Sequence, residues 1–414
     1  MGRNDPRSVA IVWALGLKIL YHHRTRSKDG QHVHISELIN ALRNLGHEVM
    51  VVAPAATERA KFGDDAGAVT MLKRYVPHFA YELMEFGYSL IAYQRLRRAV
   101  HTFRPDCLYE RYNLFLPAGI WLKKNFGLPM LLEVNAPLFE ERDKYEGISL
   151  RRLAGWSQRH VWRGADFVLP VTAVLADMVL AAGVPKERIV VIPNGIDPEQ
   201  FGRDSLSIED AKSKLGLGHR LVLGFTGFVR EWHGLDRVVD LIADRADGAG
   251  LHLLIVGDGP ARESLQARAR HRGIADRVTV TGIVDRDQVP HYIAAFDIAL
   301  QPSVVPYASP LKLFEYLAMG RAIVAPASPN ITEVLTDGEN AVLFDPDQAD
   351  GLLRAIERIC NDGELRRRVA DGARNTIVLR KLTWSNNAQC IVELFDRLLR
   401  PGPHVIVPRD TEQA

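Results

Sequence analysis

The sequence predicts an α/β protein built from two doubly wound, Rossmann-like domains. Short apolar runs alternate with helix-period stretches along the whole chain, the pattern of parallel sheets covered by helices. The series breaks once, at Pro193-Asn194-Gly195 and the polar, loop-rich stretch from Asp197 to Gly218, and then begins again. With 414 residues, 47% hydrophobic and 25% charged, the chain can close two or three cores and has the balance of a soluble globular protein.

The first unit reads as a strand, Val9–Leu15, a loop, and a helix in which Ile35, Leu38, Ile39, Leu42 and Leu45 recur at helical spacing until Gly46 ends it. Strand Val49–Ala53 follows, stopped by Pro54. Further strands are predicted at Cys107–Tyr109, Met130–Val134, Phe167–Val171 and Ile189–Ile192. The second series runs through Leu221–Phe225, Leu251–Val256, Val278–Thr281, Ile298–Gln301, Ala322–Ala325 and Ala341–Phe344, with helices after most strands. The first domain is expected over residues 1–200 and the second over 215–380. A final helix is expected at about Trp384–Leu399, before a disordered tail after Pro401.

Composition excludes several classes. A net charge of +2 lacks the concentrated basic charge that a nucleic-acid binder needs. Three scattered cysteines, Cys107, Cys360 and Cys390, form no ligand spacing and no disulfide framework, which points to a reducing, cytoplasmic setting. The apolar run Val9–Leu20 is interrupted by Gly16 and Lys18 and has no small-residue cleavage site, so a buried strand explains it better than a signal peptide or membrane anchor.

The stretch Pro302–Gly320, PSVVPYASPLKLFEYLAMG, carries the most chemistry. A strand ends in a proline-rich loop, and a helix starts near Leu311 with Pro310 beside its first position. Open N–H groups at such a start attract phosphate, reinforced by the helix dipole. Lys312 in the first turn opposes that dipole unless an anion binds, and Glu315 one turn on could reach sugar hydroxyls. A surface Lys–Glu pair is the equally weighted alternative. The loop Gly227-Phe228-Val229-Arg230-Glu231-Trp232-His233-Gly234 joins a strand to a helix near Leu235. Its Arg230 offers a donor fork for phosphate, or is a solvated surface arginine. Val256-Gly257-Asp258-Gly259-Pro260 is a third glycine turn, weak by itself.

Together these segments resemble glycosyltransferase family 4, a group with the GT-B fold. The resemblance runs through LLIVGDGP, VTVTGIV, SPLKLFEYLAMGRAIVAP, Glu333 and Asp337-Gly338-Glu339-Asn340 in the second half. In the first half it includes HVHISELINALRNLGHEVMVVAP after Gly30, EVNAPLFEE, and VTAVLADMVLAAGVPKERIVVIPNGID. It implies two facing domains with a cleft between them, and a C-terminal helix packing back on the first. It also implies retaining transfer from a UDP-, GDP- or ADP-sugar to a hydroxyl acceptor, whether glycan, lipid-linked or small molecule. Glu315 matches the second acid of the family's E-x7-E motif, which hydrogen-bonds the ribose; the first acid is replaced by Tyr307. The Arg and Lys usual in the glycine loop are replaced by Phe228 and His233, leaving Arg230 and Lys312 as a reshuffled phosphate clamp. The resemblance places the base near Gly282-Ile283-Val284 and the diphosphate against Ser309, Pro310 and Leu311, with Gly227 and Gly30 allowing close approach. For Ile283 and Val284 plain strand core is the competing reading. On the acceptor side Asn135 and Glu140 are candidates, helix capping and solvated charge being the alternatives; the family's usual histidine near Asn135 is missing. His32 and His34 read as structural.

Without an assured carboxylate nucleophile, same-face attack is expected, a donor phosphate oxygen taking the acceptor proton. No Asp-x-Asp metal motif is present, so no metal or other cofactor is expected. Aromatic-basic stretches at Glu85–Phe103 and Arg151–Arg163 read as amphipathic outer helices, or as a peripheral contact with an anionic inner membrane face. Two rivals stand beside the transferase, a nucleotide-sugar epimerase and a binding protein without transfer. A dehydrogenase is disfavoured because Val9–Gly16 lacks G-x-G-x-x-G.

Overall fold

The computed structural model describes residues 16–25, 30–54, 76–202, 206–245 and 250–400. The strand expected at Val9–Leu15 and the tail after Pro401 lie outside these residues. The first described strand is Lys18–His22 (β1). Helix Gly30–Asn44 follows, burying Ile35, Leu38, Ile39 and Leu42 as their spacing requires.

The first sheet continues with Glu48–Val52 (β2), Cys107–Arg111 (β3), Met130–Val134 (β4) and Phe167–Pro170 (β5), in the order β2-β1-β3-β4-β5. Its ladders β1–β2, β1–β3 and β3–β4 are parallel, so each connection is a crossover, including the long helix His78–Phe103 between β2 and β3. The stretch expected as a strand at Ile189–Ile192 joins this edge by a single bridge, Val168 to Ile189. Val190 N–H donates to Val168 and Ile192 N–H to Pro170, but Pro170 has no N–H to return. The ladder therefore stops.

The second sheet comprises Leu221–Thr226 (β6), Leu251–Val256 (β7), Val278–Val280 (β8), Ile298–Leu300 (β9), Ala322–Pro326 (β10) and Val342–Phe344 (β11). Their order is β11-β10-β9-β6-β7-β8, again parallel. Period-2 alternation sends Leu223, Phe225, Leu253 and Ile255 into one core and Val222, Leu254 and Val256 into another on the opposite face. Burial on both faces is what makes β7 wholly apolar except for His252.

By contacts the chain divides into two compact units. One takes in the described residues up to Leu169, Met178–Val190 and those from Ala388. The other takes Pro170–Asp177 and Val191–Asn387. The helix Trp384–Leu399 thus begins in the second unit and continues in the first. Among the described residues no helix is long and apolar enough to cross a membrane.

Candidate functional site

In the second sheet β6 and β9 are neighbours without being consecutive, so the winding reverses between them. Loops leaving the carboxyl ends of such a pair diverge and make room for a ligand. The loop Gly227–Gly234 leaves β6, and 301–310 leaves β9 before helix Leu311–Ala318.

Gly227 has φ +113°, and a side-chain carbon there would stand 3.3 Å from Lys312 Nζ. The contact is tight, and the positive φ is one that residues with a side chain rarely adopt. Gly257, at φ +143°, is needed because a Cβ would overlap the Gly227 carbonyl oxygen. Gly227 N–H donates to Val256 O and Val229 N–H to Asp258 O, each at 2.9 Å. The Val256–Pro260 turn is therefore a brace for the loop in front of Lys312, a role its short motif did not reveal.

Lys312 is half-buried, with Nζ 3.7 Å from the centroid of the Phe225 ring. Among the described residues no carboxylate lies within ion-pair distance of it. Burial pulls its ammonium down to about 7, with Glu315 acting weakly the other way. Beside it, His233 is 5% exposed and packs edge-on against Phe225. Burial, and then the Lys312 charge, hold this imidazole down to about 3. It is a neutral acceptor, taking Arg230 N–H at Nδ1 (3.0 Å).

The segment leading into the helix is held by side chains from other elements. Asn194, from the Pro193-Asn194-Gly195 turn, donates its N–H to Ser309 Oγ (3.2 Å) and its amide to the Ser309 carbonyl. Asn330 donates to the Ala308 carbonyl (2.7 Å), and Thr172 to that of Tyr307 (3.0 Å). Tyr316 accepts Thr226 N–H at 2.8 Å, tying the helix to the end of β6. Pro310 is the N-cap in extended conformation, and the N–H groups of Leu311 and Lys312 meet no acceptor among the described residues. Cation, glycine turn and open amides lie together.

The remaining expected donor residues are placed as follows. Glu315, in the second turn, is 4% exposed and its Oε1 accepts from Arg286 Nη1. Arg286 was not singled out by the sequence, although it follows the base-loop residues by two positions. Ile283 is 55% exposed and lies beyond β8, so its side chain is not strand core; Val284 is partly buried against the core of the helix side. Arg230 is exposed, its guanidinium 5.1 Å over Phe228, and it lines a shallow surface pocket with Ser264 and Arg268. Its charge and that of Lys312 both act on His233. Glu333 accepts Ala173 N–H with both oxygens at 2.9 Å and caps helix Ala173–Ala181.

The first unit reverses its winding between β1 and β3, and there the sequence was less legible. Strand β3, expected to end at Tyr109, runs on through Glu110 and Arg111, both buried. Their compensation is tertiary. Glu110 meets His22 Nδ1 at 2.5 Å. Glu133 takes Tyr109 hydroxyl (2.6 Å), His34 Nε2 (3.0 Å) and Arg111 Nη1. Burial alone would raise Glu133, but His34 and Arg111 outweigh it and hold the carboxyl well below the usual range. Asn135, half-buried, donates to the same Glu133 oxygen as Arg111. Glu140 is exposed in the first turn of Leu138–Tyr145 and accepts from Gln158 (3.0 Å). Gly30 opens its helix and is exposed. No cluster of histidine, cysteine and carboxylate suited to a metal ion occurs among the described residues.

Two parallel-sheet nucleotide-binding-type units, similar throughout to solved glycosyltransferases, define the GT-B fold. HepE of Anabaena, crystallised with UDP, aligns at TM-score 0.72 over 92% of this chain and 100% of that one, at 18% identity, a likeness of fold alone. More particularly, the chain belongs to the family-4-type glycosyltransferases: the model for glycosyl transferases group 1 matches residues 207–376 and that for the glycosyl transferase 4-like domain residues 29–195. It is 26% identical to the α-D-kanosaminyltransferase of Streptomyces kanamyceticus over 61% of this chain and 66% of that one. It is 28% identical to the lipopolysaccharide core biosynthesis glycosyltransferase LpsE of Rhizobium meliloti over 77% and 92%. The chain spans 54–66% of the length of the first relatives it matches.

Proposed function

We propose that the chain transfers a sugar, with retention of anomeric configuration, from a nucleoside-diphosphate donor to a hydroxyl acceptor. The observation that carries this reading is the meeting of Lys312, Gly227 and the open amides of Leu311 and Lys312 where the second sheet reverses its winding. That arrangement suits a diphosphate. As the anomeric carbon–oxygen bond breaks, negative charge grows on the leaving phosphate. A cation at about 4 Å is worth ~4 kcal/mol at an effective dielectric near 20. A helix start adds up to ~2 kcal/mol. Fixed groups aimed at the leaving oxygen do this without reorganising.

In this reading Ser309, Pro310 and Leu311 frame the diphosphate, Ile283 and Val284 flank the base, and Glu315 accepts from the ribose. Arg230, exposed and stacked over Phe228, contributes less than the half-buried Lys312. The first unit takes the acceptor, with Asn135 and Glu140 at its carboxyl-end face and Gly30 permitting close approach of a ligand. The bond from the anomeric carbon to the phosphate oxygen breaks, the acceptor oxygen bonds to that carbon on the same face, and an oxygen of the leaving diphosphate receives the acceptor proton.

UDP in the HepE crystal supports testing uridine donors first. Melting temperature measured with UDP-, GDP- and ADP-sugars identifies the donor, and acceptor-dependent release of nucleoside diphosphate identifies transfer. Absence of a shift with all three ends the donor reading; donor conversion without acceptor favours an epimerase instead. Proton NMR of the product's anomeric coupling tests retention.

A lipid-linked or membrane-borne acceptor is supported by helix His78–Phe103. Phe79, Leu83, Met84, Leu90 and Ile91 are each at least 50% exposed, and Arg97 and Arg98 follow on the exposed side. Cosedimentation with anionic, but not neutral, liposomes at low salt is the expected result; equal failure with both removes the membrane part.

A further inference from the structure

The second-unit site holds an ion pair that the phosphate chemistry does not use. Glu315 is 4% exposed, and a carboxylate so far from water needs a fixed partner. Arg286 supplies it, on the segment that leaves β8 just after Ile283 and Val284. The two residues come from different elements, helix Leu311–Ala318 and this loop, so the pair also ties loop to helix. The guanidinium is fixed in turn, 5.1 Å over the Phe201 ring.

The pair is incomplete on both sides. Only Oε1 of Glu315 accepts a hydrogen bond among the described residues; Oε2 accepts none and is not sealed from solvent. Arg286 Nε is buried and donates to nothing. A carboxylate with one oxygen clamped and the other open is a directed acceptor for a hydroxyl, and charged acceptors make the stronger hydrogen bonds.

We propose that Arg286 is a positioning residue for the donor nucleoside: by holding Glu315 Oε1 it turns Oε2 toward the ribose, and so makes the site select ribonucleoside over deoxyribonucleoside diphosphates. This rests on the reading of Glu315 as the ribose contact. A site built to bond a hydroxyl rejects the analogue lacking it, because the open oxygen is left buried without a partner. Arg286 needs no contact with the nucleotide for this. Its effect travels through the orientation of one carboxylate.

The test is binding, read by calorimetry on the full chain. The tightest of UDP, GDP and ADP is compared with its 2′-deoxy and 3′-deoxy forms, for the wild type, Arg286→Lys, Arg286→Gln and Glu315→Gln. The wild type should lose about tenfold or more in affinity for at least one deoxy form. In Arg286→Gln and Glu315→Gln the ribonucleotide should weaken and the ratio should shrink to about threefold or less, while Arg286→Lys keeps most of the discrimination. Arg286→Gln removes the guanidinium over Phe201 together with the ion pair, and a melting temperature near wild type certifies its fold. Arg286→Met, from which the same loss of discrimination is expected, carries the test if it does not. Undiminished discrimination in Arg286→Gln overturns the inference, as does a wild type that binds ribo and deoxy forms equally; both leave the donor reading intact. Failure of all three diphosphates to bind removes the donor reading and this inference with it.

Discussion

Lys312 shows how one position can be read correctly in type and yet be unreadable in state. The sequence places a lysine in the first turn of a helix, where its charge opposes the dipole. What sets its behaviour is Phe225 beneath it and Gly227 beside it, on a strand end far away in sequence. Lys312→Ala should lower turnover by about 100-fold or more, the loss typical of a fixed donor aimed at developing charge, measured by nucleoside-diphosphate release. Arg230→Ala should cost only a few-fold, since exposed cations contribute little. The pH profile follows with a definite sign. With the free ammonium lowered to about 7, the charged form is complete below that pH and is lost above it. Wild-type kcat/KM should therefore fall above about pH 7, roughly tenfold per unit at its steepest. Lys312→Arg, charged at all these pH values, should give a lower but flat profile. A flat wild-type profile up to pH 9 would show that the ammonium is not needed.

Elements hold the site by backbone as much as by side chain. The loop after β6 and the turn after β7 approach so closely that Gly257 accepts no Cβ, and its φ is unfavourable to any other residue. Gly257→Ala should destabilise the protein by at least ~1–3 kcal/mol and move the brace away from Lys312. Urea unfolding should show the first effect, and weakened donor binding in the folded fraction the second. In the first unit Glu133 joins the carboxyl ends of β3 and β4 to the helix Gly30–Asn44 through Tyr109, Arg111 and His34. Removing its charge leaves Arg111 buried without its ion-pair partner, a change that typically costs ~3–5 kcal/mol. Glu133→Gln should thus cost far more than Glu140→Gln, which alters an exposed side chain, and chemical unfolding of the two variants compares them directly.

At the scale of the whole molecule, buried histidines shape acid stability. Burial lowers His23 and His252 to about 4 and His233 to about 3, each below the ordinary 6.5. In the unfolded chain each takes a proton below about 6.5, whereas the folded protein keeps them neutral. Their contribution is complete above that pH and is lost as pH falls toward 4, at about 1.4 kcal/mol per unit per histidine. Glu133 acts in the same direction only below the ordinary carboxylate range. The urea midpoint should therefore drop steadily between pH 6.5 and 5, and less steeply in His252→Gln, which removes one titrating group far from the phosphate loop. An unchanged midpoint over that interval would contradict neutral burial.

The sequence alone determined the parallel strands, the helix from Leu311 and the glycine loops, because each is a local pattern of apolar period, proline and glycine. Strand ends in the first unit were less legible. The strand expected to end at Tyr109 continues through Glu110 and Arg111, which pair with His22 and Glu133 from two other strands. Ile189–Ile192 looks like a strand until Pro170 is seen facing it without a donor. Only the tertiary structure decided that Lys312 lies over Phe225 beside Gly227, that the Val256–Pro260 turn is a brace, and that Arg286 clamps Glu315. Those facts depend on strand order, which brings β6 beside β9, and on burial, which sets the state of each charge. Neither is encoded in spacing along the chain, since both are properties of neighbours that folding alone supplies.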